Sequence, residues 1–460
     1  MNMNDIGVIG LGVMGKNIAI NMMNNSFKVA GYNRSYEKTE ELIKENHENF
    51  TGYKMLKDFV NSLSIPRKVF LMVSAGKAVD AVIDELIPLL SENDIIMDAG
   101  NSYFKDTNSR EEKLKDLGIN YFGVGVSGGE EGALKGPSIM PGGEKEAYPL
   151  ISDILEAISA KYDGESCCKY IGPKGSGHYV KMVHNGIEYA DMQLLAEVYL
   201  ILKNNGYSNI EISEILDKWN KTEVESYLVF ITSKVLKEKD DKTNNDLIDM
   251  IVDVAGNKGT GRWTSIEALS QEYNASLLTA AYQARIMSNE IELRKDLSNK
   301  ISKEQGEKLD VEVLRKAYSL AKSVAFAQGF GLYKDASEKY NWDLDLKEIA
   351  SIFRAGCIIQ ARLLQEIMKA YEDGTKNILT LPVFKNQLVE NSKDLRKVVL
   401  SGVQSGLALP VFTSALTYLD SLSSELLGAN IIQAQRDYFG AHTYQRVDRD
   451  GFEHHNWSEE

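Results

Sequence analysis

Lys181, His184, Asn185 and Glu188 fall at i, i+3, i+4 and i+7 in an apolar stretch that starts at Gly175 and runs to about Asn204. That spacing puts all four on one face of a helix. Asn205-Gly206 then supplies a stop signal. A helix serving only as core would be apolar on that face, because an unpaired buried lysine or glutamate is expensive. The alternative is a solvated face carrying an i,i+7 charge pair. Such faces repeat Lys and Glu, however, and rarely set His and Asn between two ionisable groups. A lysine and a glutamate on one cleft wall supply a base and an acid. Gly186 lies in the same stretch. Glycine inside a helix costs about 1 kcal/mol relative to alanine, so another segment is expected to approach the backbone there.

Elements that must position this face come earlier in the chain. A short apolar strand over 5–9 runs directly into Gly10-Leu11-Gly12-Val13-Met14-Gly15, followed by a helix pattern over 16–24 and a second strand over 27–32. In that βαβ setting the glycine pattern predicts a dinucleotide cradle. Gly10 allows the tight turn, Gly12 lets a pyrophosphate reach the backbone, and Gly15 lets helix and strand pack closely. The helix N-terminus then offers free N–H groups to phosphate. NAD readers carry an acid at the end of the second strand, whereas this chain has Asn33-Arg34-Ser35. A guanidinium binds the 2′-phosphate that a carboxylate would repel, so the sequence predicts NADP.

Strands over 68–73, 95–98 and 120–126 alternate with helices over 78–90 and 105–117, the pattern of a doubly wound parallel sheet. Ligands of such sheets bind beyond the carboxyl ends of the strands. Three loops stand there: Val73-Ser74-Ala75-Gly76, Asp98 to Ser102 with Asn101, and Val126-Ser127-Gly128-Gly129. Taken singly, each is equally well turn chemistry. Together, on one edge, they predict a site. A helix over 144–161 and a last strand over 168–171 complete the first domain, with its boundary at 176.

Six of the eight prolines lie at or before Pro173. From 177 to 434 long amphipathic stretches predict an all-helical domain. One break, Asn257-Lys258-Gly259-Thr260-Gly261-Arg262-Trp263, is either a plain interhelical loop or a phosphate site in which glycines bare the N–H groups and Lys258 adds charge. Arg285, on a helix over 280–291, reads by itself as a surface residue. The tail over 435–460 carries Tyr438, Phe439, Tyr444, Phe452 and Trp457 beside Arg436, His442 and Arg446. It is too aromatic to be disordered. His454 and His455 read as exposed and are assigned no role.

A chain of 460 residues with 43% hydrophobic and 26% charged residues is an ordinary globular protein of two or three domains. The net charge of −14 argues against nucleic acid or an anionic membrane as main partner. Three cysteines, two of them adjacent, fit neither a disulfide framework nor a zinc spacing. They predict reduced thiols in a cytoplasmic protein. No basic n-region precedes the first strand, so no leader is expected, and no apolar run reaches transmembrane length.

The string Lys181-Met-Val-His-Asn-Gly-Ile-Glu-Tyr189, with Gly10–Gly15, Val126–Gly143, Gly259-Thr-Gly-Arg-Trp-Thr264 and Gln435–His442, resembles the decarboxylating 6-phosphogluconate dehydrogenases along essentially the whole chain. The resemblance implies an NADP-binding domain, an all-helical domain, and a tail inserted into the partner subunit of a homodimer. It also implies metal-free conversion of 6-phospho-D-gluconate and NADP⁺ to D-ribulose 5-phosphate, carbon dioxide and NADPH. Lys181 is implied as the base that takes the 3-hydroxyl proton, and Glu188 as the acid that protonates the enediol carbon. Asn101, Ser127, Gly128, Gly129, His184 and Asn185 are implied to orient the substrate. Tyr189, Lys258, Thr260, Arg285 and the partner's Arg436 would hold its phosphate, with His442 on its hydroxyls. The chain departs from the family pattern at Ser74, where a lysine is usual beside the cofactor and Lys77 stands nearby, and at Arg262 in place of lysine. Two other readings compete: another β-hydroxyacid dehydrogenase, normally shorter and without the phosphate loop and tail, or an inactive NADPH-binding regulator, which would normally have lost the acid or the base.

Overall fold

The computed structural model describes residues 3–457 except 299, 305, 373, 375 and 376. Strands β1 (Ile6–Ile9), β2 (Val29–Tyr32), β3 (Phe50–Tyr53), β4 (Lys68–Leu71), β5 (Ile95–Asp98) and β6 (Asn120–Ser127) pair in parallel, in the order β3-β2-β1-β4-β5-β6. Helices α1 (Val13–Asn24), α2 (Tyr36–Lys44), α3 (Leu56–Asn61), α4 (Lys77–Leu86) and α5 (Phe104–Lys115) make the crossovers. Ile6 and Val8 pack with Ile18 and Met22 of α1 on one face of the sheet. Ile9 packs with Phe59, Ile83 and Leu114 of α3, α4 and α5 on the other. Both faces are thus covered, as a parallel sheet requires. The expected doubly wound domain is present.

Its far edge departs from the expectation. After α6 (Gly129–Lys135), β7 (Ser138–Gly143) returns antiparallel to β6. Its Pro141 and two glycines disguise it in the sequence as a loop, yet an outer strand tolerates proline. The segment expected as a strand over 168–171 runs beside β7 but forms only isolated bridges, Ile139 with Cys168 and Gly142 with Gly172. Pro141 between them has no N–H to continue the ladder. The helix expected over 144–161 is split by Pro149 into a 3-10 turn, Lys145–Leu150, and α7 (Ser152–Ile158). A small hairpin, β8 (Lys161–Tyr162) and β9 (Glu165–Ser166), follows. β3 also escaped the sequence reading, being four residues long with a glycine and no fully buried position.

The second domain is helical: α8 (Ser176–Asn204), α9 (Asn209–Trp219), α10 (Tyr227–Val235), α11 (Thr260–Ser270), α12 (Ser276–Ser288), α13 (Ile291–Leu297), α14 (Val311–Tyr340), α15 (Leu346–Ile352), α16 (Leu363–Glu372), α17 (Pro382–Ser405) and α18 (Pro410–Leu422). The helix expected over 280–291 is therefore α12, and α13 begins where it was expected to end. One continuous core holds these elements together, with α8 at its centre between α11, α12 and α14. The rotation of α8 is fixed by a buried ion pair. Asp191 Oδ2 lies 2.9 Å from Lys322 Nζ of α14, and the Tyr318 hydroxyl donates to Asp191 Oδ1 at 2.6 Å. Removing one partner of such a pair is strongly destabilising because the other charge is left uncompensated.

The tail forms α19 (Ala429–Gly440) and an antiparallel pair, β10 (Tyr444–Gln445) with β11 (Phe452–Glu453). Its knot is Asp437, fully buried. The carboxylate accepts from Thr443 N–H (2.9 Å), His455 N–H (3.0 Å), Trp457 Nε1 (2.8 Å) and His454 Nδ1 (2.9 Å). Burial alone would raise this carboxyl, but these donors hold it well below the usual range. The two histidines given no role by sequence thus tie the tail's end to its helix. Among the described residues no helix is long and apolar enough to cross a membrane.

Candidate active site

The loops after β1, β4, β5 and β6 open on the same edge of the sheet, because these strands are consecutive neighbours running in parallel. In the first loop Gly10 takes φ +96°, and a Cβ on Gly15 would collide with the Gly10 carbonyl. A Cβ on Gly12 would meet nothing within 4 Å, so the backbone there is open to a ligand. Asn33, after β2, accepts the Leu11 N–H on its Oδ1 at 2.9 Å and donates to the Ser35 carbonyl at 3.0 Å. Asn33 therefore braces the glycine loop. Arg34 beside it is exposed and, among the described residues, unpaired. The residues present fit a dinucleotide with a 2′-phosphate: a bare helix N-terminus at α1, a tight glycine turn, and a free guanidinium with no acid where NAD readers place one.

The β4 and β5 loops are tied together by Arg110, which sequence reasoning missed. Its guanidinium donates to the Gly76 carbonyl (3.1 Å) and to Asp80 Oδ1 (2.7 Å), and Nη1 lies 3.5 Å from Asp98 Oδ2. Buried Asp98 also accepts from Ser102 Oγ (2.6 Å), Gly100 N–H (3.0 Å) and Tyr121 OH (3.1 Å). This network fixes the turn that carries exposed Asn101. Ser74 and Ala75 are exposed on the neighbouring loop, beside half-buried Val73, with Lys77 at the first position of α4.

α8 brings the helical domain onto this edge by packing against β6 and β7. Its predicted face is present. Lys181 and His184 are buried, and Lys181 Nζ lies 3.4 Å from His184 Nδ1. His184 Nδ1 is 3.0 Å from Asn185 Oδ1, and Nε2 is 3.2 Å from Ser127 Oγ. The tautomer that satisfies both ring nitrogens has Nδ1–H donating to Asn185 and Nε2 accepting from the Ser127 hydroxyl. Asn185 Nδ2 donates in turn to Thr260 Oγ1 at 3.0 Å. A hydrogen-bonded chain thus runs from the sheet through α8 to α11. Glu188 keeps about a fifth of its side chain exposed, with Oε2 3.8 Å from His184 Nδ1.

Burial lowers the Lys181 amine from its ordinary value, while the Glu188 carboxylate pulls it partly back up. Burial raises the Glu188 carboxyl, against the opposing charges of Lys181 and Arg285. His184 is pushed well below its usual value, first by burial and then by the Lys181 charge, so the ring stays neutral. A lowered lysine and a raised glutamate in one cleft are the shifts that base and acid need near neutral pH.

The close approach expected at Gly186 is made by α11: a Cβ there would lie 2.7 Å from Thr264 Cγ2. Thr264 also donates to the Met182 carbonyl at 2.9 Å. The supposed loop over 257–263 is a loop only as far as Gly259, which caps α11 at φ +95°. Thr260 then stands in the first turn, with exposed Lys258 just ahead of it. Arg285 of α12 is a half-buried residue of the site. Its guanidinium carbon sits 3.4 Å from the Tyr189 ring centroid, and Nη1 donates to the Gly256 carbonyl at 3.2 Å. Phe353 was also missed; its ring closes the cleft edge-on against His184, 5.1 Å between centroids. Arg436 and His442 are not gathered here. Arg436 donates to Gln433 within α19 at 3.0 Å, and His442 packs edge-on against Phe439.

Residues 5–172 match the family profile described as the NAD binding domain of 6-phosphogluconate dehydrogenase, and residues 177–457 match that of its C-terminal domain. The chain is 51% identical to the NADP(+)-dependent, decarboxylating 6-phosphogluconate dehydrogenase of Bacillus subtilis, covering 99% of this chain and all of that protein. It is 49% identical to that organism's NAD(+)-dependent, decarboxylating 6-phosphogluconate dehydrogenase, with the same coverage. Among solved structures, Plasmodium falciparum 6-phosphogluconate dehydrogenase, determined in its apo form and with NADP+ and 6-phosphogluconate, superimposes with a TM-score of 0.94. The two are 42% identical, over 98% of this chain and all of that one.

Proposed function

The chain belongs to the 6-phosphogluconate dehydrogenase family, and from that premise we propose that it oxidatively decarboxylates 6-phospho-D-gluconate to D-ribulose 5-phosphate and carbon dioxide, reducing NADP⁺. The observation that carries this reading is the buried Lys181 beside His184 and Glu188, on a helix reached from one side by the sheet's carboxyl edge and from the other by the N-terminus of α11. A nicotinamide held beside the β4 and β5 loops would supply the acceptor for the hydride that leaves C3 of the substrate. Lys181 in its neutral form accepts the 3-hydroxyl proton during that step. It then returns a proton to the 3-keto oxygen as the C1 carboxylate leaves as carbon dioxide. Glu188, whose carboxyl burial raises toward the protonated form, delivers a proton to C1 of the enediol. Asn101, Ser127, Gly128, Gly129, His184 and Asn185 orient the substrate chain. Lys258, Thr260, Tyr189 and Arg285 receive the phosphate, through charge, hydroxyls and the N–H groups at the start of α11.

Identity to NADP- and NAD-dependent relatives is nearly equal, so cofactor choice rests on residues. Gly10, Leu11, Gly12, Val13, Met14 and Gly15 cradle the pyrophosphate, with Asn33 bracing the turn. Arg34 and Ser35 would hold the 2′-phosphate, and Val73, Ser74, Ala75 and Asn101 would line the nicotinamide end. NADPH formation followed spectrophotometrically with 6-phosphogluconate, against 3-hydroxyisobutyrate as the control, tests the activity; oxidation of the second acid alone would overturn it. In the same assay Arg34→Ala should weaken NADP⁺ about 10- to 100-fold and NAD⁺ little, because a charge-assisted contact worth roughly 1.5–3 kcal/mol exists only for the former. Equal losses would leave Arg34 with a role only in stacking or folding.

Glu188→Gln keeps shape but removes the transferable proton. Turnover should fall about 10²-fold or more, and deuterium from heavy water should enter C1 of the product without stereospecificity. Normal turnover with a single labelled position would assign the acid elsewhere.

The tail supports a homodimer as the working form. Ile431, Ile432, Tyr438 and Phe439 of α19 are between 57% and 72% exposed, a run of large apolar side chains on one helix face that suits an interface. Entry of this face into a second copy would carry Arg436 and His442 to that copy's cleft.

A further inference from the structure

The first turns of α8 lie close against β6 and β7, and glycines on both sides make the approach possible. A Cβ on Gly123 would sit 2.8 Å from His178 Nδ1, and one on Gly125 would sit 2.6 Å from Lys181 Cβ. A Cβ on Gly177 would strike the Gly123 carbonyl at 2.3 Å. His178 and Lys181 are one turn apart on the same helix face, so the two glycines of β6 form adjacent seats for them. His178 is buried there, with Nδ1 2.7 Å from Thr107 Oγ1 of α5. Burial lowers the ring below its usual value, while the Asp98 carboxylate and the backbone of Asp98 and Gly100 pull it partly back up. The neutral ring is thus wedged between the helix of the base and the turn that presents Asn101.

A neutral imidazole has one donor and one acceptor. Thr107 Oγ1 is nearer to Nδ1 than to its other acceptor, the Tyr103 carbonyl at 3.3 Å, so its hydroxyl donates to Nδ1 and the ring proton stays on Nε2. Nε2 makes no hydrogen bond among the described residues, and the backbone groups that act on the ring belong to the turn from Asp98 to Gly100. We propose that His178 is a positioning residue for hydride transfer, fixing the turn that carries Asn101 against the helix that carries Lys181. The inference rests on the activity proposed above. In that reaction the two partners are held by different domains: the sheet loops would hold the nicotinamide, and α8 the carbon that gives up the hydride. Transfer needs reacting atoms about 3–3.5 Å apart, and a misplacement of about 1 Å can cost roughly 10²-fold. His178 stands in the joint between the two holders. Its loss therefore slows the chemical step, while each partner still binds through other residues.

The test uses the full-length protein and three variants. His178→Leu keeps bulk and removes both nitrogens, His178→Gln keeps an amide donor near the Nε2 position, and Thr107→Val removes only the hydroxyl. Single-turnover NADPH formation with both ligands saturating reads the chemical step. Dissociation constants for NADP⁺ and 6-phosphogluconate, and thermal unfolding, are measured alongside. His178→Leu should slow the first turnover about 10- to 100-fold, with both dissociation constants within about threefold of wild type. His178→Gln should return the rate to within about fivefold of wild type, and Thr107→Val should slow it about three- to tenfold. A wild-type rate in His178→Leu, a rate loss matched by equal losses in binding, or a glutamine variant no faster than the leucine one would overturn the proposal and leave His178 a packing residue. Should His178→Leu fail to fold, a wild-type rate in Thr107→Val would overturn it equally. Failure of the wild-type protein to oxidise 6-phosphogluconate at all would instead overturn the activity on which the inference rests.

Discussion

Lys181→Met should lower NADPH formation about 10³- to 10⁴-fold, the scale of a lost general base, while 6-phosphogluconate binds within a few fold of normal. The methionine fills the buried volume of the lysine stem, so the wall beside His184 keeps its packing. Only the amine disappears. A free lysine titrates near 10.4, and burial in this cleft moves Lys181 downward toward the working pH. In the proposed complex the substrate's carboxylate and phosphate would push it back up, and Lys258 and Arg285 at the proposed phosphate end would offset them. The pH dependence has a definite sign. The base must be neutral, so activity is lost as pH falls through the Lys181 value. The acid must be protonated, so activity is lost as pH rises through the Glu188 value. Lowering the first and raising the second brings both groups toward neutrality. Residual activity of Lys181→Met should lack the acid-side limb. A variant that retained near-normal turnover, or the same acid limb, would assign the base to another group.

Much of this site was legible in the sequence because two periodicities encode it. The i, i+3, i+4, i+7 spacing places Lys181, His184, Asn185 and Glu188 together whatever the rest of the chain does. The strand–glycine–helix order likewise fixes the cradle at Gly10 to Gly15 and brings the carboxyl-end loops to one edge. Gly186 even announced a close neighbour, although nothing local could say that it would be Thr264. What escaped was long-range. Arg110 looks like any arginine on a charged helix, and only the fold brings Asp98, Asp80 and Gly76 around it. Asn33 was legible as the absence of an acid, but its bond to Leu11 depends on how closely β1 and β2 lie. Glu267 is a lone glutamate in a helix until Tyr103 and Lys105 from the start of α5 and Tyr340 from the end of α14 arrive from two other segments. β7 was hidden by its own composition, since Pro141 and two glycines signal a loop in any local window.

Dimers mixed from Lys181→Ala and Arg436→Ala chains should recover roughly a quarter of wild-type activity, although each variant alone is nearly inactive. The expectation follows from where Arg436 stands. Among the described residues of its own chain its guanidinium reaches only Gln433, three residues back, and the helix that carries it presents Ile431, Ile432, Tyr438 and Phe439 outward. The Asp437 knot makes this tail a defined object rather than a loose end, so it can dock as a unit. In a two-fold dimer each cleft then joins Lys181 of one chain to Arg436 of the other. A hybrid of the two variants has one site with both lesions and one with neither. Random mixing makes half of all dimers hybrid, each with one good site of two, which gives the quarter. Co-expression with two different tags, tandem purification of the hybrid and assay for NADPH formation would raise the expected value to one half per dimer. If Arg436 instead served its own chain's cleft, every site in the hybrid would carry one lesion, and purified heterodimers would be as inactive as their parents.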